Sequence, residues 1–174
     1  MKTTLAFQPL NLAITAPKTW LFAGAFVAGN LLLPQLCHLI PNGGLMFLPI
    51  YFFTLVAAYK FGLKTGLLTA LLSPVLNSLL FGMPVVAMLP IILVKSTLLA
   101  VAASMVASRS RQVSLLLLAL VVLSYQLVGG LAEWGLTGSL TAALQDFRLG
   151  FPGMLLQVIG GWLLLKSMAS YSTK

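Results

Sequence analysis

Six apolar runs separated by short polar turns make up almost the whole chain, and the charged residues fall at the ends of those runs. A water-soluble core cannot absorb that pattern. Of the 174 residues 60% are hydrophobic and 7% charged, whereas a soluble domain carries about 25% charged residues. A bilayer core of about 30 Å takes about 20 apolar residues per helix. The runs, near 20–40, 45–59, 65–80, 88–107, 113–131 and 150–165, predict an all-α polytopic membrane protein with six transmembrane helices. They form a single transmembrane domain over 1–174 and leave no room for a soluble one. Between Met1 and Lys18 the small residues of Ala13-Ile14-Thr15-Ala16 do not follow an apolar core, so no cleaved signal peptide is expected.

Lys and Arg collect in short cytoplasmic loops. With both ends inside, Lys2, Lys18, Lys60, Lys64, Arg109, Arg111, Lys166 and Lys174 are cytoplasmic, eight of the ten basic residues. Arg148 is left outside and Lys95 within a span. The net charge of +8 therefore reads as orientation in a cytoplasmic (inner) membrane, multi-pass, and no nucleic-acid partner is expected. Both acids, Glu133 and Asp146, fall on the outer side with His38. The irregular loops Leu36–Gly44, Phe81–Val86 and Glu133–Leu149 share that face.

The stretch Leu33–Tyr51 holds the single His, the single Cys and three of the nine Pro. At a membrane surface such irregular backbone is tolerated where it lines a cavity or packs in protein, so it reads as the lid of a binding site. Asn42-Gly43-Gly44, residues able to take positive φ, makes a tight turn after Pro41 that fixes the lid. Cys37 and His38 offer thiolate and imidazole to a metal or metal-centred cofactor, but two adjacent residues without a second cluster make no structural metal site. No resident metal or cofactor is expected.

Lys95 is the sharpest single residue, because a charge at the centre of a span costs about 2.5–3.5 kcal/mol on insertion scales and avoids lipid. Counted from Met88, it lies about 10 Å below the outer surface at 1.5 Å per residue, the floor of an outward cavity. It either meets a carboxylate or phosphate on a ligand or forms an internal ion pair with Glu133 or Asp146. Glu133 and Trp134 follow the Gly129-Gly130 pair and suit a flat polar ligand, or else an interfacial aromatic anchor beside a solvated acid. Tyr125, Gln126 and Asn77 can hydrogen-bond a ligand or a neighbouring helix.

Catalytic constellations are missing. The chain has no Gly-x-Ser-x-Gly, no His-Glu-x-x-His, no phosphate-binding Gly-Lys loop and no second His, so an enzyme is not expected. With no ATP-hydrolysing motif, active transport must draw on a partner. On the first span Gly24 and Ala28, and Ala25 and Gly29, form two small-xxx-small pairs that let helix backbones approach closely.

The small size, six spans, inner termini, small-residue stripe on the first helix and long first outer loop resemble the substrate-binding S component of an energy-coupling factor (ECF) vitamin transporter. The family's docking signature on the first helix is Ala-xxx-Ala; glycine replaces one member of each pair at Gly24, Ala25, Ala28 and Gly29. The resemblance implies capture of a vitamin or cofactor precursor, energised by a transmembrane coupling subunit and two ATP-hydrolysing subunits. It puts Lys95, Tyr125, Gln126, Glu133 and Trp134 in the pocket, with His38, Asn42 and Met83 in its lid. Lys95 favours an anionic ligand, while Cys37-His38 keeps a cobalt corrinoid open. The rival readings are a membrane enzyme or assembly factor using Lys95 and Glu133 as an acid and base pair, and a self-sufficient facilitator. Almost purely apolar inner halves argue against the facilitator.

Overall fold

The computed structural model describes residues 7–171, with side chains through Ala169, and among them the chain is helical without a strand. The expected inner termini at Lys2 and Lys174 lie outside the described residues. Five helices are long and apolar enough to cross a membrane. These are α1 (Pro17–Cys37), α4 (Leu63–Phe81), α5 (Leu89–Ser110, with a preceding turn from Val86), α6 (Leu115–Thr137) and a rod over Phe151–Ala169. The rod consists of α9 (Phe151–Leu155), a π-helical turn at Leu156–Gly160 and α10 (Gly161–Tyr171). Short helices α2 (Gly43–Phe47), α7 (Leu140–Ala143) and α8 (Gln145–Arg148) lie in the connections.

The run expected over 45–59 differs most from its sequence reading. It divides into α2, a 3-residue turn at Pro49–Tyr51 and the 10-residue α3 (Phe52–Phe61). The break falls at Leu48, which takes φ 46° just ahead of Pro49; an αR residue is disfavoured before proline. At 1.5 Å per residue the segment from Pro49 reaches about 20 Å, short of the bilayer core. Its surroundings supply the rest. Every residue from Thr54 to Phe61 is buried, and α3 packs against α1, α4, α5 and α10, so it meets protein rather than lipid.

The end of the bundle that carries Lys60 is sealed by the segment before α1. Its backbone N–H groups at Phe7, Leu10 and Leu12 donate to the carbonyls of Arg111, Lys60 and Phe61 at 3.0, 2.8 and 3.1 Å. The Phe7 ring is buried against Tyr59, with the Lys60 ammonium 4.9 Å from its centroid. Tyr59 Oη donates to the Gln112 carbonyl at 2.6 Å. The Tyr59→Phe variant should lose about 1 kcal/mol, the net worth of one such bond, read as a lower thermal unfolding midpoint with unchanged helicity.

Asn30 joins three helices inside the bundle. Its Nδ2 donates to Thr54 Oγ1 on α3 and Ser73 Oγ on α4, both at 3.1 Å, and its Oδ1 accepts from Phe53 N at 3.2 Å. Pro34 has no N–H to give the Asn30 carbonyl one turn earlier. Asn77 Nδ2 on α4 takes that role at 2.8 Å. The first helix is thus fastened to α3 and α4 at the level where its own hydrogen-bond ladder is interrupted.

Candidate functional site

Both acids of the chain converge on Lys95, which lies within a helix long and apolar enough to cross a membrane. Lys95 Nζ on α5 donates to Glu133 Oε2 on α6 at 2.5 Å and to Asp146 Oδ2 on α8 at 2.8 Å. Lys95 and Glu133 are buried, and the Asp146 side chain is 15% exposed. Of the two alternatives for Lys95, the internal pair is present, with both acids at once. Gly129 makes it possible. It lies one turn before Glu133 on the face of α6 that meets α5, and a Cβ there would stand 2.6 Å from Lys95 Cγ. The glycine leaves the space that the lysine stem fills.

The triad closes one end of a small cavity of about 100 Å³ whose wall also includes Tyr51, Gln145 and Met88. Next to it, sharing Gly44, Leu45, Ile50, Met88 and Ile92, is a larger apolar cavity of about 320 Å³. His38, Asn77 and Met83 line this outer part. The lid fits its backbone closely. Asn42 takes φ 58°, the left-handed conformation Asn tolerates, and Gly43 and Gly44 continue into α2. A Cβ on Gly43 would overlap the Cys37 carbonyl, and one on Gly44 would stand 2.7 Å from His38 Nε2. Asn42 itself is exposed and lines neither cavity.

The expected loop Glu133–Leu149 is largely helical instead. Nothing in Leu131-Ala132-Glu133-Trp134 breaks a helix, so α6 runs on to Thr137 and stops at Gly138, whose φ is 67°. Glu133 and Trp134 therefore project about 100° apart around α6, as adjacent residues at 3.6 per turn must. Glu133 meets Lys95, whereas Trp134, 47% exposed, borders a separate hollow with Leu127, Leu131 and Leu140. Tyr125 and Gln126 are buried one layer below. The Tyr125 ring lies 5.5 Å from that of Tyr51, its hydroxyl donates to Gln157 Oε1 at 2.9 Å, and Gln126 Nε2 donates to it at 3.2 Å. Neither Tyr125 nor Gln126 lines the two cavities.

Gly24, Ala25 and Ala28 lie on the exposed side of α1, away from the buried face Thr19, Ala23, Val27, Asn30 and Pro34. Gly29 is half-buried beneath Phe53. Among the described residues no group of three or more His, Cys, Asp or Glu could hold a metal ion, and Cys37 is a free thiol.

Three contributors went unselected in the sequence: Tyr51, Asn30 and Gln157. Tyr51 sits in an apolar run that gives no polar signal, and Gln157 owes its position to the π-helical turn, a local underwinding with no sequence mark. Asn30 is a single amide within the first apolar run, which by itself names no partner. Its partners come from 23, 24 and 43 residues away. No family model, no curated protein and no solved structure matches the chain.

Proposed function

We propose that the protein is a substrate-capture subunit of a cytoplasmic membrane, taking up a vitamin or cofactor precursor and energised by a partner assembly of a coupling subunit and two ATP-hydrolysing subunits. The carrying observation is a cavity at the His38 end that stops on a buried charged floor. Beyond that floor the bundle is packed with Leu99, Ala100, Ala103, Val121 and Val122, each at most 1% exposed. A site of this form holds a ligand from one side and offers it no polar path onward, so release requires movement of the whole subunit. The distribution of Lys and Arg supports an outward-facing cavity mouth. The exposed small residues of α1 offer a coupling subunit a close backbone approach.

Two measurements on the detergent-solubilised protein test this reading. Mass spectrometry should find one small organic compound retained through purification, and a pulldown from native membranes should recover ATP-hydrolysing subunits. Gly24 has open space where its Cβ would be, so Gly24→Leu combined with Ala28→Leu leaves the fold intact. It should abolish recovery of the partners and keep the retained compound. Absence of both compound and partners from the unaltered protein overturns the reading, and turnover of a lipid-linked substrate replaces it with an enzyme.

A further inference from the structure

Glu133 and Asp146 are the only acids in a chain of net charge +8, and the fold brings both to a single lysine. With all three ionised, the cluster carries one negative charge more than Lys95 neutralises. Leaving a buried carboxylate uncompensated is costly, since charges removed from water are retained when paired. Each acid gives one oxygen to Lys95. Among the described residues the other oxygens, Glu133 Oε1 and Asp146 Oδ1, take no hydrogen bond.

Arg148 does not supply the missing cation. It lies two residues from Asp146 on α8, a spacing that does not face the same side, and it is exposed. His38, the other group at this end able to carry a positive charge, lines the outer cavity and not the triad's.

Two neutral groups are also unengaged at the cavity wall. Tyr51, 3% exposed, lines the triad's cavity with a hydroxyl that makes no hydrogen bond among the described residues. Asn77, 1% exposed, lines the adjoining cavity, and its Oδ1 has no partner. Both can accept from an N–H donor. The remaining walls, among them Pro34, Leu45, Ile50 and Ile92, are apolar.

We infer that the cavity takes an organic cation, a protonated amine or amidine on a flat apolar body, whose charged end meets Asp146 and Glu133 beside Lys95. This rests on the substrate-capture reading and reverses the preference expected from Lys95 alone. The body occupies the outer cavity under α2, and the charged group lies between Asp146 Oδ1 and the Tyr51 hydroxyl. Charge-assisted hydrogen bonds to carboxylate are the strong ones, and here they also complete the neutralisation of the site.

The test uses the full chain in phosphatidylcholine nanodiscs with three probes of matched shape: phenethylammonium, phenethyl alcohol and hydrocinnamate. Phenethylammonium is expected to bind about tenfold more tightly than either of the others, equivalent to about 1.4 kcal/mol. Asp146→Asn, which makes the cluster neutral while keeping an acceptor for Lys95, should erase the preference, and Tyr51→Phe should weaken it several-fold. If Asp146→Asn does not fold, Glu133→Gln makes the same charge change. Equal or tighter binding of hydrocinnamate, or retention of an anionic compound through purification, overturns the inference and leaves substrate capture standing. Binding of no probe together with no retained compound overturns both. A stabilisation that phosphatidylethanolamine alone reproduces assigns the ammonium to lipid and overturns the soluble ligand.

Discussion

Lys95→Met is expected to lower stability by about 3–5 kcal/mol, the cost of breaking a buried ion pair from one side. The substitution keeps the four-atom stem that packs over Gly129 and removes the ammonium with its two bonds to the carboxylates. Glu133 and Asp146 are then left as two adjacent carboxylates with no counter-ion among the described residues. Thermal unfolding in detergent, followed by tryptophan fluorescence, should show the loss together with a drop in the monodisperse fraction on gel filtration. The triple variant Lys95→Met, Glu133→Gln, Asp146→Asn should recover most of it, because a cluster without charge carries no desolvation penalty of that size. Such recovery is strong non-additivity, as expected for residues in one network. If the triple variant is less stable than Lys95→Met alone, the charges are not what the three residues contribute.

The second large effect belongs to Asn30. Asn30→Leu removes three side-chain hydrogen bonds, each worth about 0.6 kcal/mol between helices in a membrane. It also leaves the Phe53 N–H without its acceptor at a half-buried site, a penalty of about 1–3 kcal/mol. The expected loss is therefore about 3–5 kcal/mol. Asn77→Ala touches the same region but removes only the bonds to the Asn30 and Ser73 carbonyls, so it should cost about half as much. Measured side by side in the same detergent, an Asn77 effect equal to or larger than that of Asn30 would show that the joint between α1, α3 and α4 lies elsewhere. Because α1 and α4 also border the outer cavity through Pro34 and Asn77, the same variants should loosen the lid, seen as faster hydrogen exchange over residues 38–48.

The sequence by itself determined the helical class and the placement of the apolar segments. Apolar run length and the confinement of charge to the run ends are local properties, and they are legible for that reason. It also singled out Lys95 and restricted its internal partners to Glu133 and Asp146, since a chain with two acids offers no others. The left-handed turn at Asn42 followed from residue type alone.

Tertiary structure decided the rest, because side-chain direction and burial depend on which helix packs where. The run at 45–59 reads as a short membrane span, yet neighbours on every side make α3 an internal pillar, and lipid thickness does not set its length. Glu133 and Trp134 are adjacent in sequence, and the helical continuation of α6 sends them to different surfaces. Tyr125 and Gln126 lie deeper on the same helix as Glu133, with the Tyr125 hydroxyl donating to a glutamine that a π-helical turn presents and accepting from Gln126. Above all, the sign of the site is a tertiary fact. A lone buried lysine leaves its charge unmatched, and the same lysine held between two carboxylates is already paired. Only the placement of α8 that brings Asp146 to Lys95 puts the second carboxylate there.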